Sequence, residues 1–183
     1  TPNTIYYSAT NDPTSFSGTG SGSIALEDKI VGIKSFRNDL IIFCQNSLFK
    51  LININDSSNI AIVPITQNVG CMDGASIQEI GGDLLFLSPD GLRTVAGTAR
   101  IGDVELSSVS RPIQSIIQSI ADNINNFTVT SAVIRSKSQY RLFYNVPTGA
   151  SETADAAAKG IIATLTNQGF QYAETAGIKI ASH

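Results

Sequence analysis

Ile33-Lys34-Ser35-Phe36-Arg37-Asn38-Asp39-Leu40-Ile41-Ile42-Phe43 is answered further along the chain by Ile77-Gln78-Glu79-Ile80-Gly81-Gly82-Asp83-Leu84-Leu85-Phe86-Leu87. Corresponding positions lie 44 residues apart with no gap, and the correspondence continues through Leu48 and Leu92, then Leu51 and Val95. Each copy reads as a strand, a tight turn of residues that tolerate turn dihedrals, and a continuous apolar run too short for a helix. Strand-like units recurring at roughly 40–50 residues mark a β-propeller blade or a similar array. The expected fold is therefore mainly β, a propeller-like array of antiparallel hairpins, with Gln139–Val146 as a third copy of the buried strand. A 44-residue unit fits about four times into 183 residues. Propellers have about 4–8 blades, so residues 1–183 read as a single propeller-like region that is an incomplete ring or part of a longer protein.

Outward from this stretch, Thr4–Ser8 is β-branched and aromatic and reads as a strand. Asn11-Asp12-Pro13 is a turn, and Ser15–Ser23, with Gly18, Gly20 and Gly22, reads as a loop. The glycines lack the strand-to-helix context and the Gly-Lys-Ser/Thr that a phosphate cradle needs. Asn55–Asn59 is a polar tip without the ligand series of a calcium loop. Ile60–Val69 is a strand whose Pro64 calls for a sheet edge or a bulge. Ser76–Ile80, Leu92–Ala96, Thr128–Arg135, Gly160–Thr166 and Gly169–Ala173 are further strands. Gly177–Ile180 opens another, and Pro147–Lys159 is an inserted loop.

The period changes once. Ile113, Ile116, Ile117, Ile120 and Ile124 fall at helical spacing, predicting one amphipathic helix over about 111–124 with Ser110 as its N-cap. Its apolar face either covers a flank of the sheets or is a partner interface made by those five isoleucines.

The net charge of −3 gives no electrostatic case for nucleic acid, and no apolar run reaches the roughly 18 residues of a membrane span. Cys44 and Cys71 read as buried thiols, too few for a zinc knuckle or a disulfide framework. The one histidine is His183, so no imidazole is placed in the body of the fold for nucleophilic catalysis. Asp39, Asp83 and Asp90 stand at turns, where carboxylates bond to backbone. The expectation is a non-enzyme with no catalytic, cofactor or metal site.

Ser88-Pro89-Asp90-Gly91-Leu92-Arg93-Thr94 resembles the Asp-box turn of sialidase-type propellers, with the Gly one position early and no aromatic after Thr94. A wider set of motifs comprises Arg37–Phe43 with Ser47-Leu48-Phe49, Val69-Gly70-Cys71, Gly81–Arg93, Arg100-Ile101-Gly102-Asp103 and Ser138–Arg141. Together they resemble virion structural proteins of tailed bacteriophages, those infecting marine cyanobacteria above all. More loosely, they resemble the propeller regions of tail nozzle proteins of short-tailed phages. The resemblance implies a tail component made in the bacterial cytoplasm and assembled into the virion. It would bind other tail proteins and copies of itself around a symmetry axis. A carbohydrate- or host-receptor-binding propeller is the alternative.

Overall fold

The computed structural model describes residues 2–56, 58–96, 111–145 and 158–177. Among these the chain is mainly β, with strands in four antiparallel sheets, and it divides into two compact units, Thr1–Cys71 and Met72–His183.

The first unit opens with a two-stranded ribbon of β1 (Thr4–Tyr7) and β2 (Gly22–Ala25). The loop expected over Ser15–Ser23 thus ends earlier, at Ser21. Gly22 pairs with Tyr7 and lies so close to the tyrosine hydroxyl that a Cβ would have to push the ring aside. A glycine selected for close approach reads, from sequence, like a glycine of a loop. The ribbon is pinned by the Asn3 side chain, which donates to the Leu26 carbonyl.

A four-stranded meander follows: β3 (Ile30–Phe36), β4 (Asp39–Cys44), β5 (Leu48–Ile52) and β6 (Ala61–Thr66). The β3–β4 turn is Arg37-Asn38, with Arg37 at φ 56°. β4 is buried from Ile41 through Cys44 on both faces, as a continuous apolar run requires. One face carries the cross-strand rows Leu40–Leu51–Ile62 and Ile42–Phe49, which join Ile24, Leu26 and Cys44 in a core cluster. β5 does not alternate cleanly, because its register with β6 shifts between Leu48 and Phe49. Phe49 lies opposite Pro64 and Leu48 opposite Thr66, so the bulge falls beside the proline on the edge strand. A residue without an N–H is tolerated there and nowhere inside the sheet.

The second unit begins with a 3-10 turn, Gly74–Ser76, whose Ala75 N–H is met by Asp73 Oδ1. The strand expected from Ser76 therefore starts later. The sheet is β7 (Gln78–Ile80), β8 (Asp83–Ser88) and β9 (Gly91–Thr94). The turn glycines Gly81 and Gly82 both have positive φ, 61° and 77°, the requirement of a type I′ hairpin.

The predicted helix divides into a 3-10 turn (Arg111–Ile113), α1 (Gln114–Asp122) and a second 3-10 turn (Ile124–Asn126). The isoleucine spacing runs through all three pieces, which is why it reads as one longer helix. Asn123 Nδ2 donates to the Ser119 carbonyl and occupies an acceptor at the α1 end.

The last sheet is a meander of β10 (Thr128–Ile134), β11 (Gln139–Asn145), β12 (Ala158–Thr166) and β13 (Gly169–Ala176). β12 starts inside the stretch expected as a loop, at Ala158. Tyr140, Leu142 and Tyr144 share one face, as alternation predicts, and join Leu85, Leu87, Leu92, Val129, Ile161, Ala163 and the helix isoleucines in the main core. Tyr140 Oη, wholly buried, donates to the Ser76 carbonyl at 2.8 Å.

Ile101–Ser110, the strand at Gly177–Ile180 beyond its first residue, Val146, the loop residues up to Ala157, and His183 lie outside the described residues.

Candidate functional site

The residues singled out from sequence separate into those used up by the fold and those left facing solvent. The five helix isoleucines belong to the first kind. Ile113, Ile117 and Ile120 are buried in the main core, and Ile116 and Ile124 are half-buried against it. Of the two readings of this apolar face, cover for the sheets of its own unit accounts for Ile113, Ile117 and Ile120. Each buried isoleucine stabilises by about 1.5–3 kcal/mol, which explains why so short a helix forms.

The three turn carboxylates are also engaged, in three ways. Asp83 follows expectation: Oδ1 accepts from Leu84 N at 2.8 Å, and both oxygens accept from Ala96 N at 3.1 Å. Asp39 and Asp90 instead meet cations. Asp39 pairs with Lys50 Nζ at 3.1 Å, both partly exposed. Asp90 takes both Nε and Nη2 of Arg93, a side chain only 3% exposed. Burial raises the Asp90 carboxyl, but the Arg93 hydrogen bond and charge outweigh it and hold the group below its ordinary range. The Asp-box-like turn is thus a clamp for a buried arginine.

A fourth carboxylate escaped the sequence reading. Asp28 accepts from Lys29 N, Asn46 N and Ser47 Oγ at 2.8, 2.6 and 2.8 Å, fastening the β2–β3 loop to the β4–β5 turn. Burial raises its pKa; these donors lower it further, and the net shift is downward. Its charge and, more strongly, burial push the Cys44 thiol up to about 11, so that thiol stays protonated at neutral pH. Cys71 is buried as well, and its N–H donates to the Cys44 carbonyl.

Two further groups of side chains stand apart from these fastenings. In the first unit, Asn38, Asn53, Ile54, Asn55, Asp56 and Asn59 line an open hollow of about 560 Å³. Asn53 Nδ2 donates to the Asn59 carbonyl, and Asp56 accepts from Ser58 N and Asn59 Nδ2, so the tip is internally tied.

In the second unit, the face of the last sheet opposite the core carries Gln139, Arg141 and Phe143 on β11. Across it run the rows Ile134–Gln139–Thr164, Ala132–Arg141–Ile162 and Thr130–Phe143–Gly160. Gly160 leaves the space into which the Phe143 ring fits. Arg141 Nη2 donates to Gln139 Oε1 at 2.9 Å, and Gln139 in turn donates from Nε2 to Thr164 Oγ1 at 3.2 Å. Arg141 Nε is buried and meets no acceptor. Alternation of the four strands puts no carboxylate on this face among the described residues; Glu174 stands on the other side. Sequence alone gave no signal for this, because an arginine in a strand reads as a solvated surface charge.

Among the described residues no helix is long and apolar enough to cross a membrane.

No family model matches the chain, and no curated protein matches it. Among solved structures it is similar to the N-terminal domain of Nup159, at 14% identity and a TM-score of 0.48 over 96% of this chain and 44% of that one. It is also similar to a chain in an S. cerevisiae complex of Dbp5 with Nup159, Gle1, IP6 and ADP. There the identity is 9% and the TM-score 0.35, over 84% of this chain and 49% of that one. The chain spans less than half the length of these structures. At such scores the fold class stands on the sheets themselves.

Proposed function

We propose that this chain is a structural component of a bacteriophage virion, in the tail. It acts without catalysis, through contacts with other tail proteins and with copies of itself. The observation that supports the reading is the use to which the repeat is put. The phage-like motifs Arg37–Phe43 and Gly81–Arg93 fall on equivalent hairpins, and their carboxylates are spent inside the fold, Asp39 on Lys50 and Asp90 on Arg93. A module built this way offers rigid sheet faces and edges, the elements that repeat arrays use to bind neighbours.

The test is peptide mass spectrometry on purified phage particles, targeting the tryptic peptide Asn38–Lys50. Structural abundance in particles is the expected result. Its absence from particles, with presence in the infected cell, sinks the proposal.

A second reading, a carbohydrate- or receptor-binding module, draws on the amide-lined hollow at Asn38, Asn53, Asn55 and Asn59. It predicts saturable binding of host polysaccharide that weakens in Asn59→Ala; a glycan array without signal removes it.

A further inference from the structure

We draw no further inference here: the strongest candidate, the outer edge of β13 at the end of its sheet, which runs in unbroken register with β12 and holds neither a proline nor a lysine to blunt it, carries nothing because nothing in the structure shows what covers it.

Discussion

The two copies of the repeat have one register and two sets of fastenings. Lys34–Ile41, Phe36–Asp39 and Phe43–Leu48 in the first copy correspond to Gln78–Leu85, Ile80–Asp83 and Leu87–Leu92 in the second. Every pair is displaced by the same 44 residues that relate the sequences. The turns differ. Arg37 occupies a left-handed conformation in the first copy where Gly81 does so in the second. Asp28, from outside the hairpin, holds the first copy's second turn, whereas Asp90, from inside it, holds the second's. Phe49, packed on the core in the first copy, is replaced by the buried Arg93 in the second. Strand register and apolar positions are thus what the repeat preserves, and polar fastening is settled locally in each copy.

The strongest test of equivalence is to truncate the same place twice. Phe43 and Leu87 are both fully buried. Phe43→Ala and Leu87→Ala should each cost about 3–5 kcal/mol in denaturant unfolding. A loss below about 1 kcal/mol in either would show that the copies are not equally part of a core. Next comes Asp90→Ala, which strands the Arg93 guanidinium and should cost about 2–3 kcal/mol. Asp90→Ala, Arg93→Leu should recover much of that, since the orphaned charge goes too.

The same contact sets a pH dependence. The folded Asp90 carboxyl titrates below its unfolded value, so its stabilisation is complete above the unfolded pKa of about 3.9 and is lost as pH falls through the lower folded value. Wild type should lose melting temperature on acidification below about pH 4 more steeply than the double variant; parallel curves would contradict the assignment.

Asp83→Ala frees Leu84 N and Ala96 N and should cost about 1–2 kcal/mol. At the equivalent position Asp39→Ala loses only a partly exposed ion pair and should cost under about 1 kcal/mol. If the two costs came out equal, the local-fastening account would fail.

The comparison also explains what could be read in advance. Period-2 and continuous apolar patterns at Leu40–Cys44, Leu84–Leu87 and Tyr140–Tyr144 are direct records of burial, so the strands were legible. Pro64 declared its edge and bulge because its chemistry permits little else. Gly22 did not declare its place under Tyr7, since a glycine kept for contact and one kept for flexibility look alike. The five isoleucines disclosed an apolar face without disclosing what covers it. Asp28 and Arg141 were invisible, because a charged residue reveals its partners only after the chain has brought distant segments together.

The meander topology carries a kinetic consequence. In the sheets β3–β6 and β10–β13 every strand pairs with its immediate successor. The first sheet draws all its pairings from Ile30 to Thr66, most of them across short turns. Little loop entropy has to be lost before each hairpin is rewarded, so contact order is low for a β protein. Each sheet can form as soon as its own strands leave the ribosome, hairpin by hairpin, with a refolding rate toward the fast end of the range for β folds.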